Sequence, residues 1–426
     1  MRKSGNGVFW SVMASVFLLG TVQSAMPHFR QSSSKIAGHP VVLIPGDAGS
    51  QLEVNLTGKP EVVHYTCSKQ TTDFFDLWLD LRLFIPIIID CWVDNMKLVF
   101  NSSSKTTSNM PGVDIRIPSF AATDSIEWLD KSKASQGRYF YDIVGKLVEW
   151  GYSRGKDVVG APYDWRRAPN EQSEYFLNLK SLVEIVYRYN GFRKVVFVAH
   201  SMGNPTLAYF LRHFVDEDWR KKYVKSMVSI GAPWGGSLQI VRLYASGYNM
   251  NYFRVILPPS KLRDMQRSFT SSALLFPNQF AWAASEILAT TKTKNYTVEN
   301  IKEFFNDINY DVGWEQYQAA GPPSLGEIQP LDIDLYCVYG TGVETPARFD
   351  WSDGYFPDYP PSVVNGDGDG TVNRNSAEVC LKWKAANEAS GSERKISTFE
   401  IQGAEHMAIM RHPEMLSAIK NAVYAQ

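Results

Sequence analysis

Val195-Val196-Phe197-Val198-Ala199-His200-Ser201-Met202-Gly203 decides the fold. The residues from Val195 to Ala199 are apolar and uncharged, the pattern of a strand buried on both faces of a parallel sheet. Ser201 follows at once, with Ala199 and Gly203 two positions to either side. Asn204-Pro205-Thr206-Leu207-Ala208-Tyr209-Phe210-Leu211 then reads as a helix. Strand, sharp turn and helix with a serine at the apex predict a nucleophile elbow. The flanks must be small because strand and helix approach closely around a strained serine backbone. Ala199 stands where glycine is usual and meets the same size limit. A serine hydroxyl is a weak nucleophile, so a histidine base and an acid must follow. A serine capping a helix N-terminus would look the same locally, and only such partners separate the two.

Working outward, the same alternation continues. Val41-Val42-Leu43-Ile44-Pro45-Gly46 reads as a short strand ending in a Pro-Gly turn. Residues 157–162, 224–233, 335–340 and 395–401 supply further strands, and residues 139–150, 175–189 and 407–424 have helical periodicity. Strands alternating with helices predict a parallel α/β sheet. The alternation is lost after Gly235-Gly236 and resumes near Leu335, so residues 237–330 are read as a cap or lid inserted over the active site. The core is expected to begin in 38–60, to continue through 126–236 with the elbow, and to end in 331–426 with the acid and the histidine.

Arg2 and Lys3, the apolar residues 8–20 and the small residues around Ser24 predict a secretory signal peptide over 1–24. The apolar run is short for a membrane anchor. An exported chain with four cysteines, Cys67, Cys91, Cys337 and Cys380, predicts two disulfides. Three pairings are open, and Cys67–Cys91 with Cys337–Cys380 closes modest local loops. Asn55, Asn101 and Asn295 head glycosylation sequons. A net charge of -1 over 426 residues argues against a nucleic-acid partner.

With acid and base expected after the elbow serine in the chain, His406 in the loop Gly403-Ala404-Glu405-His406 after the last strand is the expected base. His28, His39, His64 and His412 lie in unsuitable segments, and His200 points away from Ser201 along the strand end. The acid is expected in the Gly/Asp turn Asn365-Gly366-Asp367-Gly368-Asp369-Gly370-Thr371-Val372, which leads into a helix. Asp369 is the first choice and Asp367 the reserve. A calcium loop would need a glutamate and ligand spacing that this turn lacks, so no metal is expected. The oxyanion hole maps to the backbone N–H groups of Met202 and Asp47.

Five segments, Pro45-Gly46-Asp47-Ala48-Gly49-Ser50-Gln51-Leu52-Glu53, Gly160-Ala161-Pro162-Tyr163-Asp164-Trp165-Arg166, Ala199 to Gly203, Gly231-Ala232-Pro233-Trp234-Gly235-Gly236 and Gly366 to Val372, together resemble the lecithin:cholesterol acyltransferase family over nearly all of the chain after its leader. Asp47 matches the lysosomal phospholipase branch, since the plasma cholesterol-esterifying branch carries cysteine there. The resemblance implies an α/β-hydrolase fold with an inserted cap/lid domain and a small membrane-binding subdomain over 61–125. It implies a calcium-independent, cofactor-free serine phospholipase A that forms an acyl-enzyme on Ser201 and passes the acyl group to water or to a lipid alcohol such as ceramide. It implies the disulfides Cys67–Cys91 and Cys337–Cys380. It also implies phospholipid membranes as partner, with Trp78, Leu79, Phe84 and Ile85 as contacts, and the lysosome as destination, with secretion as a second. An apolar stretch such as 74–89 is costly in water unless lipid covers it, and a buried flap is the alternative. Two other functions compete: a secreted acyltransferase acting on lipoproteins, against which Asp47 argues, and a non-catalytic lipid-binding protein, against which the Ser-Asp-His set argues. An ionised Asp47 would oppose an oxyanion, so an acidic, bell-shaped pH profile is expected.

Overall fold

The structure, a computed structural model, describes residues 38–133, 137–249, 258–322 and 329–425. The expected signal peptide at 1–24 lies outside the described residues. Six parallel strands form the central sheet: β1 (Val41–Ile44), β2 (Val158–Gly160), β3 (Val195–His200), β4 (Val224–Ile230), β5 (Asp334–Thr341) and β6 (Ile396–Gln402). Their spatial order is β6-β5-β4-β3-β1-β2.

Alternate side chains of the strands face two separate layers. Val41, Leu43, Val196 and Val198 pack on the helices Tyr141–Glu149 and Pro413–Tyr424. Val42, Ile44, Phe197 and Ala199 belong to the opposite layer, with the helices Ser173–Tyr189 and Gly203–His213. Both faces are covered, which is why these strands read as unbroken apolar runs. The chain leaves β1 for β2 on one side and returns to β3 on the other. Connections therefore diverge from the carboxyl ends of β1 and β3, where an open α/β sheet forms its crevice. Asp47 follows the end of β1 and Ser201 the end of β3.

A first insertion carries a three-stranded sheet, Leu52–Leu56, Phe75–Trp78 and Val113–Arg116, a hairpin of Leu98–Asn101 and Thr106–Asn109, and the helix Ile88–Met96. Cys67 is bonded to Cys91 within it, and Cys337 on β5 to Cys380 on the helix Val379–Ser390. The described part of 237–330 is mainly helical, as Gln239–Ser246, Pro259–Ser268, Thr270–Leu274, Ile301–Asp307 and Asp311–Ala320.

Two expectations need correction. Within 331–426, read as hydrolase core, residues 343–368 lie outside the central sheet. Gly342, at φ 77°, turns the chain out of β5, and the strands Val343–Trp351 and Ser362–Gly368 form a separate sheet with Ala289–Thr291 and Asn295–Tyr296. The second concerns membrane contacts. Leu79 and Phe84 are buried, 8% and 3% exposed, and Trp78 is partly buried. The Trp78 ring lies 5.5 Å from that of Trp165 and 6.3 Å from Trp92, and Phe84 lies 4.8 Å from Trp92. Aromatic rings that find such neighbours inside the protein gain their burial there rather than in lipid. Ile85 is exposed, as are Pro86 and Ile87 beside it.

Candidate active site

Ser201 has φ 52°, a left-handed conformation that costs a serine energy and must be held from outside. Its N–H donates to the Ile230 carbonyl at 2.9 Å. Its carbonyl accepts the backbone N–H of Asn204 at 3.0 Å and the Asn204 amide at 2.9 Å. That amide also donates to Ile230 at 3.1 Å. Two glycines let the elbow meet the turn after β1. A Cβ on Gly203 would lie 2.5 Å from the Pro45 carbonyl oxygen, and one on Gly46 would lie 2.7 Å from Ser201 Cβ.

His406 Nε2 is 2.9 Å from Ser201 Oγ, and its Nδ1 is 2.7 Å from Asp369 Oδ2. Asp369 is 2% exposed. Its Oδ1 accepts the N–H groups of Val372 at 2.7 Å and Thr371 at 3.0 Å, and its backbone carbonyl accepts the N–H of His406 at 2.9 Å. An ionised carboxylate can only accept, so Nδ1 carries the proton and Nε2 presents its lone pair to the serine hydroxyl. This is the geometry of a general base oriented by an acid. The reserve acid, Asp367, does other work. It is exposed, accepts the Gly342 N–H at 2.5 Å and pairs with Arg374 at 2.9 Å. Desolvation pushes its pKa up, but the Gly342 N–H and the Arg374 guanidinium outweigh this and hold it below the ordinary value.

The two expected oxyanion donors are built alike. The N–H of Met202 shares a peptide with the Ser201 carbonyl, which Asn204 pins twice. The N–H of Asp47 shares a peptide with the Gly46 carbonyl, which the Gly49 N–H pins at 3.1 Å. A peptide's N–H and carbonyl point opposite ways, so fixing each carbonyl aims each N–H. Among the described residues neither N–H meets a protein acceptor.

The turn after β1 is braced from outside. Ala48, at φ 54°, gives its carbonyl to the Trp78 indole at 2.7 Å. Tyr163 Oη donates to the Pro45 carbonyl at 3.0 Å, and the Trp165 indole to the Ser50 carbonyl at 3.0 Å. Arg166, fully buried, pairs with Asp164 at 2.7 Å and reaches the first insertion through the Met96 carbonyl and Asn109. Burial pushes the Asp164 carboxyl up, but Arg166 and Arg167 outweigh it and hold the acid below its usual range.

Asp47 has the opposite shift. Burial raises its carboxyl from 3.8 to about 6, opposed in part by the Ala48 N–H. Solvent nevertheless reaches the side chain. The residue is exposed to solvent, which tempers the shift without changing its direction. Of the sequons, Asn101 and Asn295 are exposed, while Asn55 is half-buried and accepts from Thr71. Among the described residues no three His, Cys, Asp or Glu side chains converge as a metal site. The reading from sequence missed Asn204, Tyr163 and Trp165 as supports, and took Trp78 for a membrane residue.

With this geometry in place, the likeness to known proteins is specific. The lecithin:cholesterol acyltransferase family model matches residues 74–321 and 324–413. The lysosomal phospholipase A and acyltransferase of Rattus norvegicus is 46% identical over 385 residues, covering 90% of each chain. The Homo sapiens enzyme of that name is 44% identical over 384 residues, again 90% of each. The phosphatidylcholine-sterol acyltransferase of Gallus gallus is 38% identical over 369 residues, 86% of each. The chain belongs to the lecithin:cholesterol acyltransferase family.

Proposed function

We propose that this chain is a serine phospholipase A and acyltransferase acting on glycerophospholipids in the lysosome. The observation that carries the reading is the Ser201–His406–Asp369 chain of hydrogen bonds at a crevice formed by β1 and β3. Ser201 Oγ attacks the ester carbonyl carbon as His406 Nε2 takes its proton. The carbonyl oxygen becomes an oxyanion, held by the N–H groups of Met202 and Asp47. His406 then gives the proton to the departing lysophospholipid oxygen, leaving an acyl-enzyme. Water, or the hydroxyl of a lipid alcohol such as ceramide, attacks next. His406 takes that proton and returns it to Ser201.

Greater identity to the lysosomal enzymes than to the sterol acyltransferase supports hydrolysis and transfer to ceramide-like alcohols over cholesterol esterification. Contact with the bilayer is assigned to Ile85 and Ile87, 55% and 49% exposed beside the Cys67–Cys91 disulfide. The test uses phosphatidylcholine liposomes containing ceramide or cholesterol. Fatty acid release and acyl-ceramide formation are expected, both lost in Ser201→Ala with the melting temperature unchanged. Dominant cholesteryl ester formation would overturn the lysosomal assignment, and turnover by Ser201→Ala would overturn the triad.

A further inference from the structure

His200 is 1% exposed, titratable, and adjacent in sequence to the nucleophile, yet the acyl-transfer steps above do not use it. Its Nε2 lies 3.0 Å from the backbone carbonyl of His406, and its Nδ1 2.6 Å from Tyr139 Oη. Tyr139 Oη in turn lies 2.9 Å from the backbone nitrogen of Gly46. Donor and acceptor rules assign every proton in this chain. The His406 carbonyl can only accept, so His200 Nε2 carries a hydrogen. The Gly46 N–H can only donate, so the Tyr139 oxygen accepts it and is free to donate its own hydrogen to His200 Nδ1. The arrangement requires neutral His200. Burial, and then the neighbouring His406, hold the pKa of His200 well below the ordinary histidine value. Burial likewise keeps the Tyr139 phenol protonated.

The two ends of this chain matter. One is the backbone of the base. The other is the residue before Asp47, whose carbonyl lies in the peptide that presents the Asp47 N–H. We propose that Tyr139 and His200 are positioning residues, forming a relay that sets the distance between the catalytic histidine and the oxyanion turn. The relay rests on the assignment of Ser201 and His406 as nucleophile and base, but on no particular acyl substrate. The three segments it joins are far apart in sequence, and Tyr139, His200 and the Gly46 amide are closed from solvent. Water is therefore poorly placed to replace a lost link. His200 also presents no second positive charge when His406 takes the serine proton, although the two rings are only 4.8 Å apart.

The test measures hydrolysis of a soluble p-nitrophenyl ester, so that membrane binding does not enter. Tyr139→Phe removes one oxygen and leaves the ring. It is expected to lower kcat by about tenfold to a hundredfold, the scale of a small misplacement of catalytic groups, with KM within about twofold of wild type because substrate contacts are untouched. His200→Phe should behave the same way. His200→Gln, which can restore a donor to the His406 carbonyl, should recover several-fold of the loss. If Tyr139→Phe keeps its kcat and only its melting temperature falls, the contacts are structural and the proposal is overturned. A measurement on the wild-type protein guards against variants that do not fold. Nitrogen NMR of histidine-labelled enzyme should show His200 as the neutral Nε2–H tautomer throughout the active pH range, and a titrating His200 would also overturn the proposal. Ser201→Ala, run alongside, distinguishes failure of the relay from failure of the triad.

Discussion

Replacing Asp47 by asparagine should separate the alkaline limb of the pH profile from every other property of the enzyme. The residue is exposed to solvent, yet desolvation by the surrounding protein raises its carboxyl to about 6. Its backbone N–H is the assigned oxyanion donor, so an ionised carboxylate on the same residue opposes the charge that develops in the transition state. A neutral carboxyl does not. One pH unit below the titration about nine-tenths of the molecules carry neutral Asp47, and one unit above it about one-tenth do. Activity through the neutral form therefore falls about tenfold over those two units. In Asp47→Asn the alkaline fall should flatten to within about twofold over the same window. A soluble ester is the right substrate, since lipid headgroups bring their own charge. Stability supplies a second readout. The folded carboxyl holds its proton more tightly than the unfolded one, whose value is 3.8. Its stabilising contribution is thus largest at low pH and is lost as pH rises through about 6. Asp47→Asn should melt higher than wild type at neutral pH and lose that advantage at pH about 4. If the alkaline limb stays in place in the variant, the Asp47 side chain does not set it, and the placement of its N–H at the oxyanion comes into doubt.

Asp369→Asn should lower kcat by about 10⁴-fold, because an amide cannot hold the His406 tautomer that faces Ser201, whereas Asp367→Asn loses a surface pair and should stay within about threefold of wild type; equal losses in kcat assays would reassign the acid. Ile85→Ser with Ile87→Ser should weaken liposome sedimentation by about tenfold per residue if each side chain enters lipid, with soluble-ester hydrolysis unchanged, and undiminished binding would move the contact elsewhere. Leu79→Ser should instead cost about 2–4 kcal/mol of stability in denaturant unfolding, since it cuts a buried side chain and leaves a hydroxyl in its place; a variant as stable as wild type would contradict the burial of Leu79.

What the sequence reveals of this site, and what it hides, follows from how each part is encoded. The elbow was legible because its geometry demands residue types. A Cβ at 203 would lie 2.5 Å from the Pro45 carbonyl oxygen, and β3 from Val195 to Ala199 is apolar because helices cover both of its faces. Asp369 and His406 were legible because the fold places acid and base after strands β5 and β6, and β5 has a clear apolar run. The apolar stretch at 74–89 was misread for a reason hydrophobicity cannot resolve. A tryptophan that packs on Trp165 and one that enters lipid are the same residue, and only a neighbour distant in sequence distinguishes them. The hairpin at 343–368 went unread for a related reason: its pairing with Ala289–Thr291 is a contact between distant segments. Tyr139 carried no signal, since a buried tyrosine at the start of a helix looks like core. Its role lies in one oxygen atom placed between Gly46 and His200. Motifs here record where the backbone must bend or approach closely. The polar contacts that align those bends with one another are each a single hydrogen bond between segments distant in sequence, so mutation of one atom, rather than inspection of the motif, is what can reveal them.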